Sequence, residues 1–280
     1  GAVSQNHLGL FRGDAANPVV LRLGAGAKLQ HVAQHGDMAA GTLAQNIQRR
    51  CHGFRTCIVA VLNDGVAIFL EDLLATGHVL ELRKALPILR DCERFVLDNC
   101  GLDNEVLAQL REDYRGRTKV VWRVSYGKGT IMTDAEVVRA VYDLVDDNCH
   151  NLIYCEDAKY MDIGHNEWLD ACDFVSGMKS LEYVIISGAP IKSLEPFRNC
   201  KNLKMLEAAF CEYITDVSPL ADCPNLQMLN ISNTHVTDLT PLDNLPLTHL
   251  TVRTNPSGRC RLSQEEQDRV TAQHPNCWIS

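Results

Sequence analysis

One spacing returns along residues 158–256, and it governs what the chain can become. Leu181, Val184 and Ile186 stand at relative positions one, four and six, and Leu203, Leu206 and Ala208 repeat that pattern. Leu226, Leu229 and Ile231 follow, then Leu247, Leu250 and Val252, so that successive starts fall 22, 23 and 21 residues apart. Ala158, Met161 and Ile163 fit one step upstream. Position nine holds Asn166, Ala189, Cys211, Thr234 and Asn255. Positions four and six lie two residues apart, so both point to one side of a short strand. The chain turns after the strand, and a buried Asn or Cys at position nine can satisfy backbone groups that the turn leaves unpaired. Such a unit buries its apolar side only by stacking on its neighbours, so the array grows along one dimension.

The same pattern extends upstream. Leu70, Leu73, Ala75, His78 and Leu80 occupy positions one, four, six, nine and eleven, and Cys92, Phe95, Leu97, Cys100 and Leu102 do so 22 residues later. Helical spacing over 81–89 ends near Pro87, and Asp103 is placed to cap a helix through Tyr114 with Val106, Leu107 and Leu110 inward. The later repeats have room only for turns or 3-10 segments. Residues 119–124 read as a strand. Residues 125–157 break the period: Tyr126 to Thr130 form a polar loop, and Thr133 or Asp134 caps an expected helix to Val145 with Val137, Val141 and Leu144 as its apolar stripe. At the end, Ser263-x-x-Glu266 has the form of a capping box, and His274-Pro275 stops the helix near Gln273. Cys277-Trp278-Ile279 is expected to fold back as an apolar lid over the last repeat.

The N-terminal part is less patterned. Residues 1–17 read as an irregular leader whose Arg12-Gly13-Asp14 is a chance tripeptide. Residues 19–23 and 57–62 read as strands, residues 38–51 as a helix carrying Leu43 and Ile47, and Asn63-Asp64-Gly65 as a turn. The expected organisation is a cap or small α/β region at 1–69 and helix-containing repeats at 70–124. An irregular joining segment at 125–157, short repeats at 158–256 and a capping helix at 257–280 complete it.

This spacing resembles the leucine-rich-repeat pattern L-x-x-L-x-L-x-x-N/C-x-L. Thr215-Asp216-Val217-Ser218-Pro219-Leu220 and Thr237-Asp238-Leu239-Thr240-Pro241-Leu242 resemble the T-D-x-[ST]-P-L turn of short, 22-residue bacterial repeats. Arg253-Thr254-Asn255-Pro256, followed by the capped helix, is similar to the C-terminal closure of that group. Residues 98–105, 120–124 and 161–166, taken in order, resemble large cell-surface leucine-rich-repeat proteins of gut Clostridia-like bacteria. Ala158 and Ala189 depart from the pattern, where Leu and Asn are expected. The resemblance implies an α/β leucine-rich-repeat solenoid, with a curved parallel sheet on the concave side and helices and 3-10 turns on the convex side. It also implies an extracellular or cell-surface binding protein, not a catalyst.

Composition bounds the function. A net charge of −8 argues against nucleic acid or anionic lipid as the partner. No run of about 18 apolar residues is present to insert in a membrane. The chain opens on Gly1-Ala2-Val3 without an initiator Met, which suggests a processed form from which a targeting segment was removed. Twelve cysteines include no C-x-x-C pair, and several fall on core positions of repeats, so they read as reduced packing residues. Such usage points instead to a reducing interior, which leaves a cytoplasmic location open. Ten histidines form no H-E-x-x-H, and neither G-x-S-x-G nor a P-loop occurs. His165-Asn166-Glu167 is better read as a position-nine wedge than as a metal ligand set, and Asp146-Asp147 near Asp143 as a solvated acidic helix end. No metal, cofactor or catalytic residue is expected.

Function is instead expected on the strand face, where positions three, five and seven point away from the core and position eight lies beside them. Position three reads Tyr160, Tyr183, Met205, Met228 and His249, and position five reads Asp162, Ile185, Glu207, Asn230 and Thr251. Position eight adds His165 and Phe210, and Arg253 stands at position seven of the last repeat. Two Tyr, two Met, an Ile and a Phe on a face that should be polar suggest a protein-binding stripe. The expected function is non-catalytic binding of a protein partner, with a homodimer through this row as the other occupant. Two other readings of the chain stand beside it. Residues 1–69, with His31, His35, Asp37 and His52, form a small enzymatic or ligand-binding unit that the repeats target, or the chain is a structural segment of a surface protein.

Overall fold

The computed structural model describes residues 20–24, 28–32, 57–61, 67–70, 94–98, 101–253 and 262–280. The expected leader, the helix at 38–51, the turn at 63–65 and the helix at 81–89 lie outside these residues. So do the repeat anchors Leu73, Ala75, His78, Leu80, Cys92 and Cys100, together with Asn255. The chain divides into two compact units, residues 1–123 and 124–280.

The first unit holds β1 (Val20–Gly24), β2 (Lys28–Val32), β3 (Cys57–Val61), β4 (Ala67–Leu70), β5 (Arg94–Asp98), helix α1 (Asn104–Asp113) and β6 (Lys119–Val121). They form one mixed sheet in the order β2-β1-β4-β3-β5-β6. Strand β5 runs parallel to β6 on one side and antiparallel to β3 on the other. Phe95 and Leu97, at positions four and six of the repeat read there, are fully buried. Helix α1 buries Leu107 and Leu110 and leaves Val106 half-buried. Asp103 sits at its N-cap but makes no side-chain capping bond. Trp122 is buried, with its indole N–H donating to Asn104 Oδ1 at 2.9 Å.

Strand β7 (Arg123–Tyr126), of which all but the first residue belong to the second unit, pairs with β8 (Gly129–Met132) as a two-stranded sheet. What reads as a polar loop is the tip of this pair, and it is seated on Asp143. The Lys128 N–H donates to both Asp143 carboxylate oxygens, at 3.0 and 3.2 Å. Gly127 has φ +50, and a Cβ there would fall 2.3 Å from Asp143 Oδ2, so only glycine fits under the carboxylate.

The helix expected from Thr133 to Val145 does not form. Its middle is β9 (Val137–Arg139), the first strand of a seven-stranded parallel sheet. The others are β10 (Tyr160–Asp162), β11 (Tyr183–Ile185), β12 (Met205–Glu207), β13 (Met228–Asn230) and β14 (His249–Thr251). After helix α2 (Gln264–Gln273), β15 (Trp278–Ile279) closes the sheet. The joining segment is therefore a repeat in its own right, with Ala135, Val138, Ala140 and Asp143 at positions one, four, six and nine. Val137, Val141 and Leu144 do suit a helical stripe, but the backbone groups of this segment pair with β10 instead. Tertiary pairing overrides the local pattern.

The register is strict. Val138, Met161, Val184, Leu206, Leu229, Leu250 and Ile279 stand side by side across the sheet. All but half-buried Ile279 are withdrawn from solvent. Removing any one apolar side chain from this column leaves a void that rigid neighbours cannot fill, at a cost of about 2–5 kcal/mol for Leu→Ala. Opposite the strands, 3-10 segments at Asp173–Gly177, Glu195–Asn199, Ser218–Asp222 and Thr240–Leu242 return the chain. The T-D-x-[ST]-P-L residues build the last two. Asp216 accepts from the Ser218 N–H at 2.7 Å and Asp238 from the Thr240 N–H at 2.8 Å, while Pro219 and Pro241 open the turns.

Position nine works as a wedge, unequally from repeat to repeat. Asn166 Oδ1 accepts from the backbone N–H groups of Asp143 and Leu144 at 2.7 and 2.8 Å. Its Nδ2 donates to the carbonyls of Ala140 and Ile163, both at 2.7 Å. Cys211 Sγ donates to the Ile186 carbonyl, and Thr234 Oγ1 to the Ile231 carbonyl. Position two carries a charged ladder: Lys159 pairs with Glu136 at 2.7 Å and Lys204 with Glu182 at 2.6 Å.

At the C-terminus Ser263 Oγ accepts from the Glu266 N–H, as a capping box requires. Glu266 does not return the bond. Its carboxylate takes the Leu239 N–H at 2.8 Å and the Arg269 guanidinium, which also grips Asp243. Within the expected lid, residues 277–279, Trp278–Ile279 form β15 and pair with β14, so the sheet edge is covered by backbone rather than by loose apolar packing.

Two tests follow from this packing. Asn166→Ala strips four buried backbone groups of partners and should cost about 3 kcal/mol in urea unfolding, against about 1 kcal/mol for Thr234→Ala. The second concerns the thiols of Cys149, Cys211 and Cys223, which burial pushes up from 9.0 to about 11, and of Cys200, pushed to about 12. Above pH 9 the unfolded chain releases these protons while the folded chain keeps them, so stability is intact below pH 9 and falls between pH 9 and 11. Each thiol contributes a slope of at most about 1.4 kcal/mol per pH unit. Cys200→Ala with Cys223→Ala should flatten that fall; an unchanged slope would mean that the buried thiols do not set it.

Candidate functional site

The sheet register brings the expected residues into two rows. Tyr160, Tyr183, Met205, Met228 and His249 are direct neighbours across β10 to β14. Asp162, Ile185, Glu207, Asn230 and Thr251 form the second row. Tyr183 and His249 are exposed, and Tyr160, Met205 and Met228 are half-buried. The row continues past its expected ends, through Val137 on β9 and through Trp278 on β15, whose ring lies 6.0 Å from that of His249. Lys204 stands over the Tyr183 ring at 5.9 Å.

The second row is largely occupied with itself. Asp162 is 9% exposed, accepts the Gly164 N–H at 3.3 Å and meets the Arg139 guanidinium at 3.4 Å. It braces the row and offers little to a partner. Glu207 receives Ser187 Oγ at 3.0 Å and Asn230 Nδ2 at 2.8 Å, and Asn230 Oδ1 takes the Ser232 N–H. Ile185 is half-buried between them, and Arg253 is exposed.

Position eight has a property that the sequence does not announce. Tyr142, His165, Gly188, Phe210 and Asn233 all adopt left-handed backbone, with φ between 56° and 71°. For Tyr, His and Phe this conformation is strained, by about 1–2 kcal/mol each. The turn imposes it, because the N–H groups of His165, Gly188, Phe210 and Asn233 bond to the carbonyls of Ser187, Ala209, Ser232 and Arg253 one repeat ahead. The strained side chains are thrown outward: Tyr142 and Phe210 are 70% and 53% exposed. Tyr142 and His165 stack with ring centroids 5.3 Å apart. His165 in turn lies over Gly188, where a Cβ would fall 2.9 Å from its Nδ1.

Sequence reasoning included His165 and Phe210 in the site but missed Tyr142, which falls at position eight of the unrecognised repeat. It also missed Trp168 and Tyr213, which are 75% and 60% exposed. Each precedes a buried anchor, Leu169 and Ile214, and that adjacency is the signal that could have placed them outside. The acidic residues near 143–147 serve structure. Asp143 holds the tip of the β7–β8 pair, and Asp146 Oδ1 accepts the N–H groups of Asp170 and Ala171. Asp146 and Asp147 begin a 3-10 turn at Asp146–Asn148, not the expected helix end. Among the described residues, no cluster of His, Cys, Asp and Glu is arranged to hold a metal ion. Of the N-terminal candidates, His35, Asp37 and His52 lie outside the described residues, and His31 falls on β2.

Residues 201–244 match the family model described as Leucine Rich repeats, in two copies. These two repeats are leucine-rich repeats. The fold is thus the expected leucine-rich-repeat solenoid, a parallel seven-stranded sheet with few helices. Solved structures similar to this chain include the internalin inlF from Listeria monocytogenes str. 4b F2365, at 13% identity and TM-score 0.42, covering 63% of this chain and 55% of that one. A leucine-rich-repeat protein of Leptospira interrogans is 17% identical with TM-score 0.39, covering 47% and 39%. Internalin C2 from the same Listeria strain is 20% identical with TM-score 0.34, covering 62% and 80%. The chain thus spans about half the length, or less, of the first two. No curated protein matches the sequence. Leucine-rich repeats typically mediate protein–protein interaction and are typically not enzymes.

The overlap of His165 with Gly188 can be measured. Gly188→Ala should destabilise the protein by about 1–3 kcal/mol, from left-handed strain and from the clash together. In a His165→Ala background only the strain remains, so the double-mutant cycle should show a coupling of about 1 kcal/mol. Additive losses would mean that the imidazole does not rest on the glycine.

Proposed function

We propose that this chain is a non-catalytic binding module whose strand face, from Tyr160 to His249, takes a protein partner. One observation carries the reading: Tyr160, Tyr183, Met205, Met228 and His249 stand in unbroken register on the outward side of the sheet, with none of the five fully withdrawn from solvent. Aromatic and Met side chains present area at low ordering cost and adapt to a partner's relief. The second row supports this by being internally satisfied. Glu207 and Asn230 bond to each other, which stiffens the floor and removes polar groups that would otherwise need partners on docking. Arg253, exposed at the C-terminal end of the face, supplies a charged rim contact.

The partner is a protein rather than nucleic acid, which the net charge of −8 disfavours. Among the described residues, no helix is long and apolar enough to cross a membrane. A cell-surface or secreted setting belongs to the same proposal.

Replacement of Tyr183, Met205 and Met228 together by Ser tests the surface. These side chains are exposed or half-buried, so the variant should keep the circular dichroism and cooperative unfolding of the parent while its affinity for a captured partner falls by at least about a hundredfold. Retained capture by a folded variant would place the binding surface elsewhere. If the parent self-associates in size-exclusion chromatography and the variant does not, the partner is a second copy of the chain.

A further inference from the structure

A second feature lies on the edge of the sheet where the strands end, away from the Tyr/Met row. Buried Leu169, Ile191, Ile214 and Val236 mark equivalent points of four successive repeats. The residues just before them are Trp168, Pro190, Tyr213 and His235. Position eight in the first three of these repeats is His165, Gly188 and Phe210. The repeat in the middle therefore carries Gly188 and half-buried Pro190 where both neighbours carry rings. The result is a notch one repeat wide. The His165 ring lies over Gly188 at one end, so the open floor is at Pro190, with Trp168 on one side and Tyr213 on the other. Adjacent strands stand about 4.8 Å apart, so the flanking repeats are separated by about 10 Å, room for one flat group between two rings.

Apart from Lys192, which lies near Tyr213 and is paired with Asp170, the charge of this notch is negative. Glu167 adjoins Trp168 and Glu212 adjoins Tyr213, and both carboxylates are exposed. Among the described residues neither has an ion-pair partner. The two sides of the notch thus repeat one pair of chemical functions, a carboxylate beside a large exposed ring.

We propose that this notch is a docking site for an arginine side chain of a partner polypeptide, with the guanidinium held between Trp168 and Tyr213 and neutralised by Glu167 and Glu212. A guanidinium is planar, stacks on aromatic faces and forms forked bonds to carboxylates, so it matches the spacing, the rings and the charge together. A lysine matches the charge but not the slot. A neutral aromatic group matches the slot and leaves two carboxylates facing it without compensation. The site is separate from the Tyr/Met row and does not depend on it.

Isotope-labelled protein titrated with N-acetylarginine amide reads the site directly by nuclear magnetic resonance. Saturable shifts are expected at the Trp168 indole N–H and the Gly188 amide, and the neutral isostere N-acetylcitrulline amide should bind at least about tenfold more weakly. Tyr213→Ala, followed at the Trp168 indole, and Glu167→Gln with Glu212→Gln should each weaken binding by about fivefold or more. All these side chains are exposed, so the folded spectrum should be retained. The Tyr183, Met205 and Met228 to Ser variant should bind arginine as the parent does, which separates failure of this site from failure of the strand face. Equal shifts with arginine and citrulline, arginine shifts confined to other surfaces, or full binding by Tyr213→Ala would each overturn the proposal.

Discussion

Everything in the second unit depends on side-by-side hydrogen bonding between strands only three residues long. Alone, such a strand has no stability. Stacked in strict register, each contributes one fully buried residue to a continuous column, Val138 through Leu250, and one repeat's backbone satisfies the next. The 22-residue return places these residues over one another, and 3-10 turns rather than helices make that return short enough. Stability is then a sum over interfaces between neighbours, and the ends must be treated specially. At the C-terminus the chain comes back after α2 to lay β15 on β14, with Arg269 tying the helix to Asp243. At the other end of this sheet, the tip of the β7–β8 pair is pinned to Asp143 of the first repeat.

The position-nine residues show how one geometric need is met by different chemistry. Asn166, with two acceptor sites and two donors, closes four backbone groups in two repeats. Cys211 and Thr234 each donate to one carbonyl, and Ala189 contributes only its small size. The buried thiols belong to the same logic. They fill space where a larger side chain would strain the turn, and burial holds them protonated.

The repeats from Ala158 onward were legible because Leu, Val and Ile at fixed spacing leave little choice of fold. The repeat at Ala135 was not, because Ala, Val, Ala and Asp stand where Leu and Asn are expected. Val137, Val141 and Leu144 meanwhile satisfy a helical stripe, and only pairing with β10 decides between the two. Rows three and five followed directly from strand alternation. The outward rings did not. Left-handed backbone at His165 and Phe210 is set by hydrogen bonds to the following repeat, Tyr142 shares that backbone, and none of these residue types advertises it as Gly188 and Asn233 do. Trp168 and Tyr213 could have been found only by noticing that each precedes an anchor.

The charged ladder at position two has a consequence for assembly. Glu136, Lys159, Glu182 and Lys204 alternate in sign along successive repeats. Repeats as alike as these invite a particular error during folding, in which one is looped out and its two neighbours close on each other. The apolar column would tolerate that, since Val138 fits beside Val184 nearly as well as beside Met161. The ladder would not: skipping the repeat at Ala158 sets Glu136 against Glu182, and skipping the next sets Lys159 against Lys204. Each exchange replaces an attraction by a repulsion of similar size, each worth about 0.2–1 kcal/mol at an exposed site. Alternation of sign thus acts as a parity check, which counts repeats that the hydrophobic core cannot tell apart.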